Sequence, residues 1–122
     1  MVRADPMTRK PKREYSCGVE LTLEIVGGKW KPVILAHLKQ GALRYGELRA
    51  RIPALSDKML TQRLKDLEES GLVKRRKAGG RGAPSCYELT TRAQTLRPAL
   101  EALNDWGVRI AGEVGVRIEP RW

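Results

Sequence analysis

The stretch from Ala54 to Thr90 constrains the fold more than any other part of this chain. Leu60, Leu64 and Leu67 fall at i, i+4 and i+7, which is the buried stripe of an amphipathic helix. Ser56 supplies an N-cap, and the helix runs to about Ser70 with Gly71 as its C-terminal stop. Leu72 to Lys77 and Cys86 to Thr90 then pair as antiparallel strands around a turn at Ala78 to Ser85. If Tyr87 and Leu89 face the core, strand alternation turns Cys86 outward.

The solvent side of this unit is cationic. Opposite the leucine stripe stand Lys58, Met59, Gln62 and Lys65, with Thr61 and Arg63 on the flanks. Asp66, Glu68 and Glu69 gather in the last turns, so the groove-competent part is the N-terminal half. The first strand carries the unbroken run Lys74, Arg75, Arg76 and Lys77, and Arg81 sits between glycines in the turn. A helix followed at once by a basic hairpin suits insertion of the helix in a DNA groove, the hairpin reaching the flanking backbone. Gln62 has the groups to pair with adenine, Lys58 or Arg63 with guanine or phosphate, and Thr61 and Ser56 with phosphate or base. Arg81, at a glycine-flanked tip, can approach a narrow minor groove. Against this stands the plain alternative of a solvated charged face and a solubilising strand. The juxtaposition of helix and hairpin weighs against that alternative. GGRG lies between strands rather than before a helix, which argues against a nucleotide-phosphate loop.

Elsewhere the periodicity is mainly helical. Val19, Thr22, Leu23 and Val26 mark a first short helix ended by Gly27-Gly28. A second starts near Lys29 with Pro32 in its first turn, places Trp30, Val33, Ile34, His37 and Leu38 on one face, and stops at Gln40-Gly41. Leu43 to Ile52 reads as a third, with Tyr45, Leu48 and Ile52 inward, closed before Pro53. After Thr90 or Thr91 a final helix carries Leu96, Leu100, Leu103, Ile110 and Val114 at roughly heptad spacing, Pro98 starting or kinking it. Residues 1–15 form an aperiodic basic arm with Arg3, Arg9, Lys10, Lys12 and Arg13; 16–114 form the domain; 115–122 form a tail. The predicted fold is mainly α with a small β-hairpin wing: a winged helix-turn-helix with terminal dimerisation helices.

Composition narrows the functional classes. A formal net charge of +10 favours a polyanionic partner. No apolar run can span a bilayer and the N-terminus lacks a signal-peptide stretch, so a cytoplasmic protein without a membrane partner is expected. His37 stands alone and no Cys/His spacing resembles a zinc site; an enzyme, a metal and a cofactor are not expected. His37 reads as a hydrogen-bonded packing residue. Few aromatics are on hand to stack single-stranded bases, which disfavours RNA. Cys17 precedes the first helix with Lys12 and Arg13 nearby, a setting that stabilises a thiolate, though a small buried hydrophobe fits equally. Cys86 reads as an incidental thiol on the wing, with a second redox partner as the alternative. The terminal seam, lying beyond a complete winged unit, is better buried by a second copy, which sets two reader helices ~34 Å apart.

Together CGVELTLEIVGGKWKPVILAHLKQG, LRYGELRARIPALSDKMLTQRLKDLEESGLVKR, YELT and LRPALEALNDWG resemble the HxlR-type (MarR-related) family of bacterial winged-helix transcriptional regulators, in the family's order from Cys17 to Gly107. The resemblance implies a homodimer on an inverted-repeat DNA operator, its interface on the terminal helices with Leu96, Leu100, Leu103, Trp106 and Ile110. It puts Ser56, Lys58, Met59, Thr61, Gln62, Arg63 and Lys65 in the recognition helix and Lys74 to Arg81 in the wing. It also puts Cys17 where family members commonly carry a cysteine that answers oxidants or electrophiles, favouring the sensor reading. The turn AGGRGAPSC departs from the family's proline-and-valine-rich approach, and Cys86 replaces a polar residue. The expected function is a homodimeric, sequence-specific DNA-binding regulator, redox- or electrophile-responsive through Cys17. The alternatives are a regulator governed by a small ligand, and a winged helix used for RNA binding or protein docking.

Overall fold

The computed structural model describes residues 14–77 and 85–119. Its elements, in order, are α1 (Gly18–Val26), α2 (Lys31–Leu38), β1 (Leu43–Arg44), α3 (Tyr45–Arg51), α4 (Asp57–Glu69), β2 (Val73–Lys77), β3 (Ser85–Leu89), α5 (Thr91–Gln94) and α6 (Arg97–Val114). Helices build the body and one three-stranded antiparallel sheet, ordered β1-β3-β2, flanks it. This is winged helix-turn-helix architecture. The basic residues of the arm (Arg3, Arg9, Lys10, Lys12 and Arg13) and the turn residue Arg81 lie outside the described residues.

The core follows the leucines. Ile34 and Leu35 of α2, Leu48 of α3, and Leu60, Leu64 and Leu67 of α4 are fully buried, joined by Leu55 and Leu72. Each such side chain stabilises the fold by about 1.5–3 kcal/mol relative to leaving it in water. The α4 stripe thus holds the helix from one side only, and its caps fix the ends. The Ser56 hydroxyl accepts the Met59 N–H at 3.1 Å, and Gly71 turns the chain at φ 74°.

Three local expectations are corrected. Leu43 and Arg44 are not the start of a helix but a short strand, paired through Leu43↔Tyr87 and Arg44↔Cys86. The third helix therefore begins at Tyr45, where the Glu47 carboxylate takes the Arg44 backbone N–H at 2.8 Å. The second helix begins at Lys31 rather than Lys29, because Trp30 sits in the left-handed region at φ 81°. On its inward face Leu35 is buried, whereas Val33 is exposed. Cys86 does lie on the outer face, as alternation with Tyr87 and Leu89 predicts, and in the central strand it is half-buried.

His37 is buried at the end of α2. Burial first, and then the nearby Arg51 charge, hold its imidazole below the usual value, so the residue packs as a neutral ring.

Candidate nucleic-acid interface

On α4 the structure brings Lys58, Thr61, Gln62 and Lys65 together on one exposed face, with Ser56 exposed at its N-terminal edge. Spacings of three and four residues put them above one another on the helix surface. Ser56 serves two purposes at once. Its oxygen caps the helix through the Met59 N–H, and its own O–H remains available to give a phosphate. The Gln62 amide donates to Asp66 Oδ1 at 3.0 Å. That bond spends one of two amide hydrogens and orients the group, leaving a hydrogen and the Oε1 acceptor for a base edge such as adenine.

Met59 and Arg63 are placed differently. Met59 packs partly against the core. The Arg63 guanidinium turns to the α1–α2 connection, its Nε donating to the Lys29 carbonyl at 3.2 Å and Nη1 lying 3.5 Å from Asp66 Oδ2. Asp66 is buried, and Lys31, also buried, approaches it to 4.0 Å. The acidic end of α4 is therefore partly spent on locking α2 to α4. Sequence reasoning located the acidic turns but not this lock, because the second cation comes from another helix.

A second clasp joins α3 to the start of α4. The Tyr45 hydroxyl donates to Asp57 Oδ1 at 2.9 Å and lies 3.3 Å from Thr61 Oγ1. Arg49 Nε donates to the same carboxylate at 2.9 Å, and its guanidinium also reaches the Leu55 carbonyl. The Tyr45 hydrogen bond and then the Arg49 guanidinium hold the Asp57 carboxyl below its usual range. Periodicity alone reads Tyr45 as an inward apolar residue and does not reveal this role. The helix-turn-helix angle thus rests on polar groups as well as on Leu48 and Leu60.

The wing run occupies the edge of the sheet, and Lys74, Arg75, Arg76 and Lys77 are all exposed. Alternation still applies within it. Lys74 and Arg76 share one face and flank Glu88, each at 3.6 Å. Arg75 takes the other face, 3.3 Å from Glu68 and with its guanidinium 5.8 Å from the Tyr87 ring centre. Exposed pairs of this kind contribute about 0–1 kcal/mol, so they yield readily to a phosphate. Lysine and arginine on an edge strand also deter pairing with a further strand. Both faces of β2 are cationic, so the strand can meet a polyanion from either side.

The predicted terminal seam divides. Leu100 is 5% exposed and belongs to the core, and Leu96 packs against it. Leu103 and Trp106 are 59% and 64% exposed, and Ile110 is half-buried. On α1, Val19 and Leu23 are likewise exposed, at 66% and 61%. Cys17 is exposed at the N-cap of that helix, and both cysteines are free thiols. Among the described residues no helix is long and apolar enough to cross a membrane.

Known proteins agree with this architecture. The HTH-type transcriptional regulator YkvN of Bacillus subtilis is 41% identical over 78% of this chain and 80% of its own length. A second HTH-type regulator, from Methanothermobacter thermautotrophicus, is 42% identical over 77% and 72%. Among solved structures, the oxidised form of the redox regulator HypR superposes with a TM-score of 0.70 at 36% identity, covering 75% of this chain and 94% of that one. Reduced YodB of B. subtilis superposes with a TM-score of 0.68 at 28% identity, over 78% and 94%. Residues 25–114 match the HxlR-like helix-turn-helix family. The chain belongs to that family, whose members are DNA-binding transcriptional regulators and not enzymes.

Proposed function

We propose that residues 16–114 act in the cytoplasm as a homodimer that reads an inverted-repeat operator in duplex DNA. The observation that carries this reading is the exposed polar face of α4 beside a wing strand cationic on both faces. Helix-turn-helix readers place the N-terminal part of the second helix against base edges in the major groove. Lys58, Thr61 and Gln62 stand there, and Lys74 to Lys77 supply sequence-independent affinity, to which Arg81, outside the described residues, is expected to add. Substitution at the two places should separate their roles. Gln62→Ala should cost about 1–3 kcal/mol on the operator and relax its sequence preference. Arg76→Ala should weaken operator and scrambled duplexes alike and lower the salt slope by about 1. Loss of sequence preference from the wing variant and not from the helix variant would overturn the assignment.

A second copy covers α1 and the exposed part of α6 in this reading, burying Val19, Leu23, Leu103 and Trp106. Cys17 then lies at the edge of the dimer contact, and the thiol takes the part of sensor for an oxidant or electrophile. Support comes from two similar solved proteins, HypR, described as a redox regulator in oxidised and reduced forms, and YodB, also solved after diamide treatment. Modification of Cys17 would alter the packing of α1 and shift the separation of the two reader helices. DNA affinity measured with and without diamide tests this: wild type should respond and Cys17→Ser should not. An equal response in both would sink the switch.

A cavity of about 140 Å³ between α1 and the α5–α6 corner, lined by Ile25, Val26, Leu72, Arg92 and Leu96, gives the small-ligand alternative a specific site. It is smaller than the roughly 300–1,000 Å³ of drug-sized sites, so the thiol reading stands first.

A further inference from the structure

One cation outside both the recognition helix and the basic run lies on the path between them. Arg44 of β1 is exposed, and the register sets it in line with Cys86 and Arg76 across the three strands. Residues opposite one another on adjacent antiparallel strands share a face, so Arg44, Arg76 and Lys74 all belong to the outer face of the sheet. With strands spaced about 4.8 Å apart, Arg44 and Arg76 lie roughly 10 Å from each other, far enough to take different phosphates.

From its place on the edge strand Arg44 also borders an open groove of about 480 Å³, lined with it by Tyr45, Gly46 and Glu47, and by Ser85 and Tyr87 from the other face of β3. One wall of that groove is tied to the reader, because the Tyr45 hydroxyl bonds Asp57 and Thr61 at the start of α4. The other wall is β3, the strand that carries the wing. In the DNA-bound arrangement proposed above, a backbone running from α4 to the wing passes beside this opening.

We infer that Arg44 contacts a DNA phosphate at the rim of the groove between the reader helix and the wing, joining the two into one continuous backbone track. The inference rests on the DNA-binding reading above and adds to it a contact on β1. The partner is the phosphodiester backbone, so the contact carries charge and register and no base preference. The groove's acidic residue, Glu47, accepts the Arg44 backbone N–H at 2.8 Å. That bond holds the carboxylate at the start of α3.

The test compares wild type, Arg44→Gln and Arg44→Lys on an operator and on a scrambled duplex over a salt series, with melting checked for each protein. Losing one released counterion lowers the slope of log K against log salt by about 0.9, or about eight-fold in affinity near 0.1 M salt. Arg44→Gln should show that loss equally on both duplexes, at an unchanged melting temperature, and Arg44→Lys should restore the wild-type slope. An Arg44→Gln protein with the wild-type slope would overturn the inference while leaving DNA binding intact. A wild type that binds neither duplex would instead remove the reading on which it rests. A loss confined to the operator would also overturn it, since it would make Arg44 a base reader.

Discussion

Helices α4 and α6 carry the same kind of apolar stripe and use it differently. On α4 the stripe is consumed within the chain: Leu60, Leu64 and Leu67 are fully buried, and only the polar face is left to solvent. On α6 the stripe is consumed for one turn, at Leu100, and then runs out of protein, leaving Leu103 and Trp106 in water. An apolar helix face contributes to stability only when something covers it. The first helix is thus finished within the chain, and in the reading proposed above the second is finished by a second copy. The same contrast separates what fixes the fold from what fixes the assembly.

The largest effect should come from breaking the finished side. Leu64→Ala leaves a cavity in a closed core and should cost about 2–5 kcal/mol, read by chemical denaturation. Trp106→Ala should do little to intramolecular packing and should instead weaken self-association by about 2 kcal/mol, roughly thirty-fold in dissociation constant. Sedimentation would show the shift, and the melting temperature should lose its dependence on protein concentration. If Trp106→Ala destabilised the chain as much as Leu64→Ala at every concentration, the two helices would not differ as described. A smaller effect is expected at the α4 cap. Ser56→Ala removes the acceptor of the Met59 N–H and should cost about 1 kcal/mol. Because the same hydroxyl faces outward, DNA affinity should fall as well.

The smallest effect is one of pH. His37 is held below its ordinary value of 6.5 by burial and by Arg51. On unfolding the imidazole returns to that value, so the unfolded chain takes up the proton first as pH falls. Stability due to this residue is level above about pH 6.5 and is lost progressively below it, until the folded-state value is passed. Denaturation at about pH 7.5 and about pH 5.5 should show the decline in wild type and a shallower one in His37→Gln. An identical decline in both would assign the acid sensitivity to other groups.

Much of α4 was legible in the sequence because its determinants are local. Leucine spacing, the Ser56 cap and the Gly71 stop all act within a few residues, and a helix is built from such contacts. The hairpin strands were legible for the same reason. Strand β1 was not, since two residues make a strand only by pairing with β3, which is far away in the chain. The same holds for the site: the exposed face of α4 follows from periodicity, while the engagement of Arg63 and Asp66 depends on Lys29 and Lys31 of another segment. Heptad spacing likewise identified the α6 stripe but could not divide Leu100 from Leu103. What divides them is how far the packed core reaches along α6, and periodicity carries no information about that. Arg44 is not legible as a contact in the sequence, because its line with Arg76 exists only across the sheet.

The central claim is that two copies of α4, carried by one dimer, read base sequence. Selection of binding sites from a random duplex pool, at about 150 mM salt where non-specific binding is weak, tests it most directly. The account predicts enrichment of an inverted repeat with half-site centres about 10 base pairs apart or a multiple of that, bound several hundred-fold or more above a scrambled duplex. A pool that shows no sequence enrichment while binding with steep salt dependence would contradict it, leaving the +10 charge to serve non-specific attraction alone.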